Sequence, residues 1–429
     1  MQDSKLLNGK KLGGKLTFQN VGLTLVCIYI FLGFVATDIG ISSRVKSISL
    51  ILLLGWAVVS VVRSWKKREF PISSYSAWYF VFVLISFITM MYSPEKDILS
   101  GEFYQMLVSF CVTFAITTFV NSKFSFKTFA YTYIISAVVL VVLLYFKGML
   151  SGTESDRLGQ ELMGNANSFA WMMMIATMFG IWVLIYESGK DSFKHRLLKE
   201  YFWIVKVAVA VGIVLCLYAL ILSGGRKYFV LPFAFLYFLL IFKKDKNGKT
   251  HFWLYTLIAI VMVVILYILI MNVEPLYNAI GKRIERFLQG LLGTGNYDGS
   301  SSVRATMREY AISMWLQKPI FGYGFDSFKY YNVDVTGHFY YSHCNYTELL
   351  FCGGIVLFIV YYGFIFYILK KAIKNKNVNC KYRSFSIAVI VCTLLFDILG
   401  ISFSVAIMQT FIALAYKVIS FKENESTKE

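Results

Sequence analysis

Four arginines, one histidine and one glutamate have the types and surroundings to do chemistry in this chain. Arg226 stands in Ser223-Gly224-Gly225-Arg226-Lys227, between two apolar runs. A guanidinium there either snorkels to lipid headgroups or offers its planar fork of donors to a lipid-linked phosphate or diphosphate. The two glycines would let such an anion approach the backbone closely. Arg157 precedes Gly164-Asn165-Ala166-Asn167-Ser168, where Asn165 and Asn167 either cap the next helix or contact sugar or phosphate. Arg304 and Arg308 are four apart and would share a helix face; taken singly, each reads as a solvated charge. Together, Arg157, Arg226 and Arg304 put cations on three separate segments, the arrangement an anionic, membrane-held substrate would require.

His343, in Ser342-His343-Cys344-Asn345-Tyr346, immediately precedes an apolar run and should be held near the membrane surface. His195 and His251 fall on the opposite side and His338 lies mid-loop, so His343 is the best placed general base, with a structural role as the alternative. Glu348, five residues later, would orient the imidazole or take protons itself. No Asp-x-Asp, His-Glu-x-x-His or Cys-x-x-Cys occurs, Glu154-Ser155-Asp156 being the nearest approach, and there is neither a P-loop nor a dinucleotide fingerprint. No metal, ATP or NAD is therefore implied, no cofactor is expected, and the energy for a reaction should come from the substrate.

These residues need elements to position them, and the composition says what kind. The chain has 429 residues, 58% hydrophobic, 18% aromatic and only 15% charged, with a mean hydropathy of +0.63. This is the profile of a polytopic membrane protein. Apolar runs of helical length occupy roughly 20–36, 46–62, 76–92, 102–120, 128–146, 165–186, 201–222, 226–242, 251–272, 346–369, 384–400 and 403–420. The expected fold is thus all-α, with about twelve transmembrane helices. The tight reversals at Ser223-Gly224-Gly225 and Gly400-Ile401-Ser402 rely on glycine.

An even number of spans puts both termini on one side. The net charge of +18 fits that topology better than nucleic acid, because most Lys and Arg fall in alternate short loops, such as Arg63, Lys66, Lys67 and Arg68, or Lys370 to Arg383. By the positive-inside rule that side is cytoplasmic. The chain then divides into residues 1–272 with nine spans, an extracytoplasmic loop at 273–344, and residues 345–429 with three spans and a cytoplasmic tail. Lys5, Lys10, Lys11 and Lys15 precede the first run without a small-residue cleavage site, which reads as an uncleaved span. Of the seven cysteines, Cys344 and Cys352 read as free thiols rather than a bridge.

Within the long loop, Ala279 to Leu292 and Ser302 to Trp315 suit short surface helices, with Ser300, Ser301 and Ser302 as available N-caps. Gly293 to Gly299 is a turn cluster, and Lys318-Pro319-Ile320-Phe321-Gly322-Tyr323-Gly324 reads as loop. Tyr330, Tyr331, Tyr340 and Tyr341 form either an interface belt or a sugar platform.

Four segments, in this order, resemble the O-antigen ligase and Wzy-type polysaccharide polymerase superfamily. They are Gly164-Asn165-Ala166-Asn167-Ser168-Phe169-Ala170, Ser223-Gly224-Gly225-Arg226-Lys227, Arg304 through Trp315 to Pro319-Ile320-Phe321-Gly322-Tyr323-Gly324, and His343-Cys344-Asn345-Tyr346-Thr347-Glu348-Leu349-Leu350 with Gly353-Gly354-Ile355. The likeness runs from about Arg157 to Ile355, with Cys344 where a small or polar residue is expected. It implies a GT-C-like membrane glycosyltransferase, independent of metal, in the cytoplasmic (inner) membrane of a bacterium. Its donor and acceptor would be polyprenyl-diphosphate-linked oligosaccharides, and its other partners membrane lipids and a chain-length regulator, not nucleic acid. On the matching positions, Arg226 and Arg304, with Arg157, would bind the donor diphosphate and His343 would activate the acceptor hydroxyl. The first expectation is a polymerase for capsule, exopolysaccharide or O-antigen; a ligase to another acceptor is the near alternative, and a flippase or transporter the alternative of a different class. The last would place charged residues inside the spans, where only Asp397 and Lys206 stand out.

Overall fold

A computed structural model describes residues 17–36, 43–66, 72–99, 101–151, 157–163, 165–187, 200–243, 249–291, 299–375 and 378–421. Each of the twelve apolar runs becomes one helix: α1 (Phe18–Val35), α2 (Ser43–Lys66), α3 (Ser74–Met90), α4 (Gly101–Phe119), α5 (Lys123–Phe146), α6 (Ala166–Tyr186), α7 (Phe202–Leu222), α8 (Arg226–Ile241) and α9 (Phe252–Asn272), then, beyond the long loop, α13 (Asn345–Lys374), α14 (Cys380–Asp397) and α15 (Ala406–Val418). The loop contributes α10 (Lys282–Leu291), α11 (Gly299–Trp315) and α12 (Phe328–Thr336). No strand occurs among the described residues. Helix is the form these runs must take, since hydrocarbon offers the backbone no partner but itself.

Eight of the helices (α1, α2, α4, α5, α6, α7, α9 and α13) are long and apolar enough to cross a membrane, and α3 and α15 are shorter apolar helices. The chain is an all-α, multi-pass membrane protein. Burial separates the helices by role. In α6, 83% of the apolar window is buried, against 6% in α9, so α6 is the central post and α9 meets lipid on nearly every face. Side-chain caps close the helix starts: Thr17 accepts from Asn20 N, Ser73 from Ser76 N, and Ser122 and Ser125 form a reciprocal capping box. At the end of the bundle opposite His343, buried Glu187 pairs with Lys127 and Lys381, both at 2.5 Å, and clamps α5, α6 and α14 together.

The two shortest of the twelve apolar helices fall furthest short of a full span. At 1.5 Å per residue, α8 and α15 are about 24 and 20 Å long, against a hydrocarbon core of about 30 Å. Both shortfalls meet irregular chain, at 223–225 before α8 and at 398–405 before α15. Such backbone survives at membrane depth only where protein covers it, and here side chains satisfy it. Tyr79 donates to Phe403 O at 2.6 Å, Gln409 to Ser402 O at 2.9 Å, and Asn345 Oδ1 accepts from Ser402 N at 2.8 Å. These two recessed turns form the floor of the site described below.

The glycine-rich motif at 318–324 has a structural task. Helix α13 breaks at Gly354, whose φ of 61° and ψ of −161° lie in a region only glycine occupies readily. The break frees carbonyls and N–H groups, and the 319–324 segment takes them up. Tyr323 N and Gly324 N donate to Phe351 O and Cys352 O, both at 2.8 Å, while Ile355 N donates to Pro319 O at 2.8 Å. A Cβ on Gly354 would fall 2.2 Å from Ile320 O, and one on Gly322 2.3 Å from Phe351 O. Gly354→Ala is therefore expected to lower the melting temperature in detergent by several degrees, through backbone strain of about 1–3 kcal/mol and the clash with Ile320. Gly363→Ala, on the same helix with open space around it, should leave the melting temperature unchanged; equal behaviour of the two variants would contradict the stitch.

Several local expectations are corrected. Helix α11 begins at Gly299, so Ser300 to Ser302 occupy its first turn rather than its N-cap. Residues 279–281 belong to a π-turn (Tyr277–Gly281), and α10 starts only at Lys282. The Tyr-rich approach to His343 contains helix α12, stopped by Gly337 in the left-handed region at φ 70°. Of the turn cluster at Gly293 to Gly299, residues 293–298 lie outside the described residues, as do Glu154 to Asp156. All seven cysteines are free, Cys344 and Cys352 included.

Candidate functional site

The site assembles on the turn between α7 and α8. Gly224, at φ +64°, carries the chain through the reversal, and a Cβ there would lie 3.2 Å from Arg157 Nε. Arg157 packs over that glycine and holds the turn: its Nε donates to Ser223 O at 2.7 Å and its Nη2 to Asn167 Oδ1 at 3.2 Å. Asn165 caps α6, accepting from Asn167 N at 2.8 Å. The structure thus gives Asn165 its capping task and Asn167 to Arg157, bringing the 157 segment, the start of α6 and the 223–225 turn into one unit. Arg226 is the first residue of α8 and half-buried, at the end of the helix where its dipole is positive.

Lys227, next to it, went unmarked in the sequence reading. Its ammonium donates to Leu399 O at 2.8 Å and lies 4.5 Å from the ring centroid of Phe396. Arg308 reaches the adjacent carbonyl, with Nη1 3.5 Å from Ile398 O. Arg304, one turn earlier on α11, stays exposed. Arg157 and Arg304 both act electrostatically on Lys227 and on Tyr228. Cations from three segments therefore converge above the two recessed turns.

His343 faces this group. Its ring centroid lies 4.4 Å from that of Tyr341 and 6.3 Å from that of Tyr340. Burial pushes the imidazole pKa down to about 3, helped by Arg304, Lys227 and Arg308, so the ring is neutral and holds a free lone pair. Its backbone is left-handed, at φ 58°, a conformation that persists only when neighbours enforce it. They do so through the main chain on both sides. Glu348 Oε2 accepts from Ser342 N at 2.7 Å, Thr347 donates to the Ser342 hydroxyl at 2.9 Å, and Asn345 N donates to Gly400 O at 2.9 Å. Asn345 also donates to Tyr362, whose hydroxyl donates to Asp397, at 2.8 and 2.9 Å. The expected contact of Glu348 with the imidazole is replaced by this hold on Ser342, because the carboxylate on the first turns of α13 points back at the preceding backbone.

A group of carboxylates that sequence reasoning missed closes the other side. Asp326 accepts from Glu102 N at 3.0 Å and from Lys329 at 2.9 Å, and Lys329 pairs with Glu95 at 2.7 Å. The Ser404 hydroxyl donates to Glu102. Tyr341 stands between the two groups. Burial, the nearby Glu102 and Glu348 push its pKa up to about 12 against the pull of Arg304, so it stays protonated. The one signal in the sequence was the run of acids from Glu95 to Glu102 at the edge of apolar runs.

With this geometry in hand, comparison with known families is informative. A family model described as O-antigen ligase matches residues 211–362. The matched stretch runs from within α7 into α13 and takes in Arg226, Lys227, Arg304, Arg308, His343 and Glu348; Arg157, Asn165 and Asn167 lie ahead of it. The resemblance read from the motifs is borne out over these residues, and the match supports an O-antigen ligase or polymerase type of function in general. No curated protein matches the chain.

Proposed function

We propose that this chain, similar over residues 211–362 to the O-antigen ligase family, is a polysaccharide polymerase acting on polyprenyl-diphosphate-linked glycans at the outer face of the cytoplasmic membrane. The observation that carries the reading is the group of cations around a neutral imidazole: Arg304, Lys227 and Arg308 act on His343, and Arg157 on Lys227. A donor diphosphate fits among these cations, next to Arg226. In the transfer, the acceptor hydroxyl attacks the anomeric carbon of the donor and gives its proton to the imidazole nitrogen of His343. The carbon–oxygen bond to the diphosphate breaks, and the leaving diphosphate keeps the electron pair, stabilised by the guanidinium groups. Binding the anion also offsets the cations that depress the imidazole, so His343 becomes a stronger base when the donor is present.

The outward orientation rests on the positive-inside distribution of Lys and Arg. The wording of the matched family favours a second reading, transfer of the finished glycan to a different acceptor by the same machinery. A transporter is disfavoured, because Lys206 is exposed on the flank of α7 and Asp397 is hydrogen-bonded to Tyr362; neither lines a path. Deleting the gene and sizing the surface and lipid-linked glycans separates the three. Loss of a polymerase leaves single repeat units, loss of a ligase leaves long unattached chains, and loss of a flippase traps repeats inside. Only the first outcome is compatible with the proposal.

A further inference from the structure

A half-open cavity with about 100 Å³ of internal space lies among α1, α2, α4, α5, α6 and α15, apart from the cation group. Its wall is largely apolar, built from residues such as Phe34, Ile116, Phe179 and Phe411, with polar groups only on Tyr29, Lys46, Tyr133 and Thr410. The hydroxyls of Tyr133 and Thr410, each 6% exposed, have no hydrogen-bond partner among the described residues. Lys46 is exposed over Gly33, where a Cβ would lie 3.9 Å from Lys46 Cε. No carboxylate pairs with Lys46 among the described residues. Lys46 thus offers the cavity an exposed cation with no carboxylate to pair it, and buried hydroxyls without acceptors are costly. A phosphate-headed lipid answers the first. The second is eased by an unsaturated chain, whose double bonds accept weakly from hydroxyls as π-systems do. The volume fits such a chain: an engineered apolar cavity of about 150 Å³ takes benzene, so this one takes about one isoprene unit while the rest leaves through the mouth.

The position of the cavity says which lipid. Ala406 and Ile407 line it, directly after the irregular 398–405 segment. At the start of that segment, the carbonyls of Ile398 and Leu399 meet Arg308 and Lys227. Asn345, two residues from His343, spans its middle, donating to Gly400 O and accepting from Ser402 N. One short strip of chain therefore has the cations at one end, the cavity at the other, and His343 held beside it.

We propose that the cavity holds the hydrocarbon chain of the acceptor's polyprenyl carrier, with its phosphate on Lys46, while the donor diphosphate occupies the cation group. The inference rests on the glycan-transfer reading, since it requires two lipid-linked substrates at once. Native mass spectrometry of the purified full chain with a long-chain polyprenyl phosphate as probe tests it. The wild type should bind two molecules, and Lys46→Ala and Gly33→Leu one each, with melting temperatures like the wild type as evidence of folding. Two bound molecules in both variants, or one in the wild type, would overturn the proposal. So would removal of the second molecule by excess phosphatidylglycerol, which would assign the cavity to bilayer lipid. Arg226→Ala should lose the other molecule; a loss there with none in Gly33→Leu sinks the cavity inference and leaves the donor site standing, and the reverse result does the opposite.

Discussion

His343→Ala is expected to slow glycan transfer by about 10²- to 10⁴-fold, the usual cost of losing a positioned base, while the protein inserts normally and still binds donor. The expectation follows from the environment of the ring. An imidazole held neutral by burial and by Arg304, Lys227 and Arg308 has a lone pair to offer and nothing else to do for charge balance. His343→Gln should be as slow as alanine, since an amide keeps the shape without the basicity. Full-length polymer from either variant would remove His343 from the mechanism.

The same depression has a signature in stability, and its sign can be worked out. The folded pKa of about 3 lies below the ordinary 6.5. Between those values the unfolded chain takes up a proton that the folded chain refuses, so stability falls as pH drops from 6.5 towards 3 and is level above 6.5. The wild type should lose melting temperature across that window, and His343→Gln should lose less. A bound anionic donor analogue should flatten the wild-type slope, because it offsets the cations. A variant that tracks the wild type at every pH would mean that His343 is not held neutral by this field.

How much of this was readable in the residues depends on distance along the chain. The twelve helices were legible because hydrocarbon leaves an apolar run no alternative to helix, and each run from 20–36 to 403–420 became one. The arginines were legible because a cation beside a span is conspicuous. What was not legible is what long-range pairing made. Glu102 and Asp326 meet through a hydrogen bond between residues 224 apart, and nothing near either one announces the other. The break in α13 was hidden for a related reason. Gly353-Gly354 reads as two tolerable helix glycines until the 319–324 segment is laid against them, and only then does Gly354 become obligatory. Glu348 was expected to orient the imidazole or take protons itself; that its carboxylate would hold Ser342 N was not legible, because spacing gives the helix face but not the direction in which a carboxylate on the first turns will reach.

Arg226→Ala should lower transfer by about 10²- to 10³-fold, comparable to removing one donor from a preorganised oxyanion site. Arg157 already holds Ser223 O and Asn167, so its replacement acts first by loosening the turn. Lys227 donates to Leu399 O and braces the floor. Arg226, leading α8 with the helix dipole behind it, is best placed to follow the charge as it moves onto the leaving diphosphate, and its loss should therefore appear in kcat as well as in KM. Arg226→Lys separates fork from charge: a lysine restores the point charge but not the paired donors, so it should recover donor binding more than turnover. If lysine restores both equally, Arg226 supplies charge alone, and the two-pronged contact must come from Arg304.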